Sequence, residues 1–258
     1  MLIHGLWMTP LSWEHWVERY SARGHEVLAP AWPGLDRDPQ ALREDPSGIE
    51  HLGVTEIVEH YEQVIGGLEQ APIIMGHSFG GLFTQLLLDH GHGVAGVAID
   101  SAAAKGVFTL PPSELRSAFP VLKSPLNNHR AVLLTPEEFH YAFTNTMTEE
   151  QSNVVYERYA VPGPGRVLFQ GALANFNPRA ATAVDYRNDG RAPLLFIAGG
   201  ADHVIPQQVD KAQAKKYRKS AAVTEFKAFP GRSHFTVGQD GWEEVADYAL
   251  DWALEHAA

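Results

Sequence analysis

The stretch Gly76-His77-Ser78-Phe79-Gly80 constrains this chain more than any other. Before it, Ile73, Ile74 and Met75 make a short apolar run that reads as a buried strand. After it, Gly80 and Gly81 lead into LFTQLLLDHG, which reads as a helix. An ordinary strand-to-helix loop needs one glycine at most. A backbone that turns sharply enough to lift a serine hydroxyl above a sheet edge brings strand and helix so close that side chains two residues either side of the serine would collide. Gly76 and Gly80 stand at those two places. The helix that follows aims its N-terminus and free N–H groups at Ser78, which suits a developing oxyanion.

Around this turn, apolar runs alternate with segments of helical period. The runs are Leu2 to His4, Val27 to Pro30, Ile73 to His77, Val94 to Asp100, Leu194 to Ala198 and Val223 to Phe229. They are apolar at nearly every position, as parallel strands covered on both faces must be. Helices with recognisable ends lie between them. Ser12 is placed to cap a stripe of Trp13, Trp16, Val17 and Tyr20, with Gly24 past its end, and Thr55 to start a helix carrying Ile57, Val58, Tyr61, Ile65 and Leu68. Asp240 with Glu243 resembles a capping box for the last helix. The expectation is an α/β doubly wound sheet of six parallel strands. One block, 103–191, breaks the rhythm: PSELRSAFPVL, TPEEFHYAFTNTMTEEQSNVVYERYA and VLFQGALANF read as helices, and no convincing strand appears among them. This predicts a core of residues 1–102 and 192–258 with a helical cap, or lid, inserted at 103–191.

A serine hydroxyl is a weak nucleophile and needs a base, which in turn needs an orienting acid. Asp202, in GGADHVIP, follows one apolar run, and His234, in PGRSHFTVG, follows the next, so the order serine, acid, histidine is present. Asp100 also ends a run and is the weaker candidate for the acid. His4-Gly5 ends the first run, and the backbone N–H groups of Leu6 and Phe79 are the candidate oxyanion donors. His4 itself reads as structural.

The motifs HGLW, GHSFGG, GGADHVIP and GRSHF together make the chain resemble an α/β-hydrolase-fold serine hydrolase of the capped, esterase-like kind. The resemblance implies Ser78, Asp202 and His234 as a catalytic triad, no cofactor, and an ester-like bond as substrate, with lactone, amide and thioester left open. Members usually carry a two-stranded hairpin ahead of the HG strand. Here HG begins at residue 4, so the sheet is expected without that hairpin, leaving an edge at which a homodimer would pair. Two other uses of such a triad stay open: a non-hydrolytic one, as hydroxynitrile lyase or cofactor-free perhydrolase, and a small-molecule receptor with slow turnover. The lyases of this kind usually want a cap lysine near the site, and only Lys105 and Lys123 qualify. Trp7, Phe143 and Tyr159 are the candidate pocket aromatics for a small apolar ester-like substrate.

Composition removes several other classes. With 258 residues, the chain can bury one large core. A net charge of −11 argues against nucleic acid as a partner, because no basic stripe exists to meet phosphates. Zero cysteines exclude thiol catalysis and thiolate metal sites and fit a reducing compartment. No apolar run approaches the roughly 20 residues of a membrane span, and MLIHGLWMTP lacks the basic start of a signal peptide, so a cytoplasmic enzyme is expected. No metal site is expected: His90 and His92, in DHGHG, read as a solvated helix end with Gly91 just beyond.

Overall fold

The structure, a computed structural model, describes residues 1–257. Its first half runs β1 (Leu2–Ile3), α1 (Glu14–Ala22), α2 (Pro39–Glu44), α3 (Val54–Gly66), β2 (Ile73–His77), α4 (Phe79–Asp89) and β3 (Ala95–Ile99). A block then follows of α5 (Pro112–Leu122), β4 (Ala131–Val132), α6 (Pro136–Phe143), α7 (Glu149–Tyr159), β5 (Gly163–Pro164) and α8 (Gly165–Ala172). The chain returns to the sheet with β6 (Leu194–Gly199), α9 (Gln207–Lys216), β7 (Thr224–Phe229) and α10 (Trp242–His256).

The main sheet has five parallel strands in the order β1-β2-β3-β6-β7. Alternate side chains feed two cores, as strands covered on both faces require. Leu2, Met75, Val97, Ile99, Leu195 and Ile197 pack with Trp13, Trp16 and the inner face of α10, while Ile3 and Ile74 join α3 and α4 on the other side. The register aligns His77 with Ile99 and Ile99 with Ile197. The carboxyl ends of the strands therefore lie along one edge, and the segments leaving it carry Leu6, Ser78, Asp100, Asp202 and His234. Ligands of open α/β sheets bind at this edge.

The sequence reading needs correction in four places. The sheet has five strands, not six: the run Val27 to Pro30 gives β1 one hydrogen bond, from Leu2 N to Leu28 O at 2.7 Å, and stays irregular. Pro30 has no N–H to offer a ladder, and its carbonyl is taken by the Tyr61 hydroxyl at 2.9 Å. Leu28 thereby covers the β1 edge expected to be bare. The block 103–191 is mainly helical, but β4 and β5 pair as a short antiparallel ribbon within it. Helix entries also differ. Thr9 caps a short turn at Pro10–Trp13 ahead of α1, and the Ser12 hydroxyl donates to the Thr9 carbonyl instead. Residue Val54 begins α3, its N–H held by Gln170 Oε1 at 2.8 Å. A left-handed Gly241 (φ 77°) precedes α10, so Asp240 makes no capping box.

Candidate active site

Ser78 sits between β2 and α4 with φ 57° and ψ −121°, in the half of the backbone map that costs a non-glycine residue about 1–3 kcal/mol. The surroundings hold it there. Its N–H donates to the Ile99 carbonyl at 2.9 Å, and its carbonyl accepts from Gly81 N and Ala102 N, each at 3.0 Å. A Cβ on Gly76 would overlap the Gly80 carbonyl oxygen, and one on Gly80 would overlap that of Ile3. The turn thus brings β2, α4 and β1 into backbone contact. A Cβ on Gly5 would lie 2.8 Å from the Ser78 Cβ, so the segment leaving β1 borders the serine. Among the described residues, the N–H groups of Leu6 and Phe79 donate to no backbone carbonyl outside regular elements.

Asp202 and His234 arrive from the loops after β6 and β7 and meet at a 2.6 Å hydrogen bond between His234 Nδ1 and Asp202 Oδ2. Both side chains are fully buried. The other Asp202 oxygen accepts from Val204 N at 2.6 Å and Ile205 N at 2.9 Å, which fixes the carboxylate. With Nδ1 donating, the second ring nitrogen, Nε2, carries the lone pair. It is buried and, among the described residues, without a hydrogen-bond partner. His77 Nε2 donates to the His234 carbonyl at 2.8 Å, and the rings of His77 and Phe143 lie 4.6 and 4.8 Å from that of His234. The Asp100 Oδ1 accepts from Gly199 N at 2.6 Å, while its Oδ2 is buried without a partner and makes no hydrogen bond to His234. Burial, with the charge of Asp202 second, pushes the Asp100 carboxyl well above the usual carboxylate range.

His77, Asp100 and His234 bring one potential ligand atom each within 4.8 Å of the others. Burial pushes His77 well below, and Asp100 well above, their ordinary values, so both favour their neutral forms. A protonated carboxyl is a poor ligand, and each ring already commits one nitrogen, His77 Nε2 to the His234 carbonyl and His234 Nδ1 to Asp202, so the cluster reads as polar packing behind the imidazole. His4 is structural: Nδ1 donates to the Gly5 carbonyl at 3.0 Å and Nε2 accepts from Trp32 N at 3.2 Å. His90 and His92 both face Glu62 Oε1, at 2.7 and 3.7 Å, beside a left-handed Gly91.

Ser78 opens into a cavity of about 380 Å³ between the sheet edge and the block that holds α5 and α8. Trp7 lines it; Phe143 and Tyr159 do not. Phe143 is spent on packing His234, and the Tyr159 hydroxyl points away to Glu14 Oε1 at 2.5 Å. Neither Lys105 nor Lys123 reaches the cavity. Its rim carries exposed apolar side chains: Phe108, Leu110, Leu115, Leu173 and Phe176. One wall residue escaped the sequence reading. Glu114, in the first turn of α5, looks there like an ordinary helix-start acid, but it faces this cavity. A larger open groove of about 800 Å³ lies at the amino ends of the strands, around Met1, Ile73 and Val94, away from all these groups.

The sequence matches the alpha/beta hydrolase family over residues 1–248. No curated protein matches it. Among solved structures it is similar to a monoacylglycerol lipase of Paleococcus ferrophilus (19% identity, 99% of this chain and 93% of that one, TM-score 0.67). It is also similar to an extracellular alpha/beta-hydrolase of a Paenibacillus species (19%, 98% and 97%, TM-score 0.69). A third is a pyrethroid hydrolase of Sphingobium faniae JZ-2 (18%, 98% and 95%, TM-score 0.64). At such identities these structures speak for the fold, and the family match speaks for descent: this chain belongs to the alpha/beta hydrolase family.

Proposed function

We propose that the protein is a serine hydrolase that cleaves a carboxylic ester, or a close acyl relative, through an acyl-enzyme on Ser78. The observation that carries this reading is the His234 imidazole, fixed by Asp202 at Nδ1, left with an unpartnered Nε2 and packed on His77, the residue before the strained Ser78 that opens into a cavity. In the mechanism, Ser78 Oγ attacks the carbonyl carbon while His234 Nε2 takes its proton. Asp202 holds the imidazole in the productive tautomer and stabilises its charged form. The carbonyl oxygen, now negative, receives the N–H groups of Leu6 and Phe79. The tetrahedral species collapses as His234 returns the proton to the leaving alcohol. Water, deprotonated by the same nitrogen, then releases the acid.

The apolar rim favours a small apolar substrate, as does a cavity lining that, among the described residues, holds no Lys or Arg. The missing lysine also speaks against the hydroxynitrile lyase reading. The similar structures include a lipase and a pyrethroid hydrolase, in line with ester chemistry. Block 103–191 is the cap in this reading, and we place the enzyme in the cytoplasm. Among the described residues, no helix is long and apolar enough to cross a membrane.

A fluorophosphonate should label Ser78 alone, and Ser78→Ala should lower steady-state turnover of short p-nitrophenyl esters on the order of 10⁶-fold. Activity within tenfold of the parent would sink the assignment. A single slow acylation without steady turnover would make the protein a receptor instead.

A further inference from the structure

Apart from Ser78, five side chains with hydrogen-bonding groups line the cavity: Trp7, Thr109, Glu114, Ser117 and Asn175. Three of these are committed. The Trp7 indole donates to the Val132 carbonyl at 3.0 Å. The Ser117 hydroxyl donates to the His203 carbonyl at 3.1 Å. The Asn175 amide accepts from Gly106 N and donates to the Val107 carbonyl, both at 2.6 Å. Glu114 is different. Among the described residues, its Oε2 is out of solvent and has no partner, and no Lys or Arg lines the cavity to neutralise it. Burial, reinforced by the charge of Asp202, pushes the carboxyl up to about 8, so at neutral pH it is largely the acid, with an O–H to give. An acid in the first turn of a helix ordinarily serves as an exposed anion facing the dipole. A largely buried, largely protonated one does not serve that purpose.

A buried polar atom without a partner is a cost the fold must carry, and a ligand that supplies the partner removes it. The rest of the wall near Glu114 is apolar, with Leu168, Leu173, Val204 and Ile205 among its residues. We propose that Glu114 is a substrate-recognition residue whose carboxyl donates a hydrogen bond to a neutral oxygen, a ketone or a hydroxyl, carried on an otherwise apolar arm of the ester. An ammonium group fits less well. It would have to shed its water in an apolar cavity and strip the proton from its only counter-charge. A plain alkyl arm also fits less well, because it leaves the donor unpaired. Sites built around a buried hydrogen-bonding group discriminate against ligands that lack the matching atom. The inference rests on the reading of Ser78 as the nucleophile at the other polar point of the same cavity.

The test is a series of p-nitrophenyl esters of medium-chain acids: the plain chain, the same chain with one ketone moved along it, and the same chain with an ammonium group. In the wild type, one ketone position should raise kcat/KM over the plain ester by about tenfold to a hundredfold, the range of one hydrogen bond to an otherwise unpaired buried group. Glu114→Leu should reverse this order, improving the plain ester and losing the ketone ester within one protein, so the comparison does not depend on how much enzyme is folded. Glu114→Gln should keep the preference, since its amide still donates. Binding of the same intact esters to Ser78→Ala protein should show the same order. No preferred ketone position, a preference that survives Glu114→Leu, or a preference for the ammonium ester overturns the proposal. If the wild type turns over none of the esters while the Ser78→Ala protein still prefers the ketone, the hydrolase reading falls and the recognition role of Glu114 stands.

Discussion

Asp202 and Asp100 both lie close enough to His234 to matter, and their surroundings divide the work between them. Asp202 takes two backbone N–H bonds on one oxygen and the imidazole on the other, which suits an anion. Asp100 has one N–H, from Gly199, and a second oxygen with nothing to accept from, which suits a neutral acid. Asp202→Asn should therefore lower kcat on a short ester by about 10⁴, because the amide cannot hold the base tautomer. Asp100→Asn should cost less than about tenfold, since the amide fills the same space and Asn tolerates the positive φ of 44° at this position. Steady-state kinetics of the two variants decide the matter. The opposite order would place the acid on β3, and two mild variants would make the site a Ser-His dyad.

At the scale of elements, the site depends on how closely β1, β2 and α4 approach at the serine turn. The obstacle to a side chain at Gly80 is the backbone carbonyl of Ile3, which no rotamer change can move aside. Gly80→Ala should destabilise the fold on the order of 3 kcal/mol, at the upper end of overpacking costs. Gly48 is the matching control: a methyl group there would meet no heavy atom within 4 Å, and its φ is not left-handed. Gly48→Ala should be neutral or slightly stabilising. Urea unfolding of the pair measures the difference; equal midpoints would mean that the close approach is not a constraint. The block 103–191 is tied to the same edge at α6, the turn after it and β4. Phe235 N donates to the Phe143 carbonyl at 2.9 Å, Asn145 Nδ2 to that of Ala201 at 2.9 Å, and Trp7 Nε1 to that of Val132 at 3.0 Å. Capping boxes at Thr135/Glu138 and Thr148/Gln151 start α6 and α7.

For the molecule as a whole, the carboxyl edge of the sheet concentrates acids that favour their protonated forms: burial is the first cause for Asp100, Asp210 and Glu114 alike. Glu114 gives the clearest consequence. Its folded value of about 8 lies above the ordinary 4.5, so between those pH values the folded chain holds a proton that the unfolded chain has released. Its contribution is fully present below about 4.5 and is lost as pH rises through about 8. The stability of the wild type relative to Glu114→Gln should therefore fall with rising pH across that window, by at most about 1.4 kcal/mol per unit. Urea midpoints of both proteins at pH 5, 6.5 and 8 check the sign. A constant gap would mean that the carboxyl is ionised throughout.

Features that depend on neighbouring residues and chain order are legible without a fold. Gly76 and Gly80 around Ser78 report a turn that no other residues fit. Asp202 and His234 follow successive apolar runs, and strand ends deliver residues to one edge of a parallel sheet. Helix α5 is readable residue for residue, from Pro112 and its period. The remaining questions each turn on a partner far away in sequence, so folding alone answers them. Val27 to Pro30 has the composition of a strand, but Tyr61 claims a carbonyl that a ladder would need. Phe143 and Tyr159 have the right side chains for a pocket wall, but His234 and Glu14 take them. Glu114 looks like any helix-start acid until α5 folds over the sheet and turns its carboxyl into an apolar cavity with no counter-charge among the described residues. Period and motif tell which residues face inward, whereas what each one meets there is set by elements that the chain brings together only on folding.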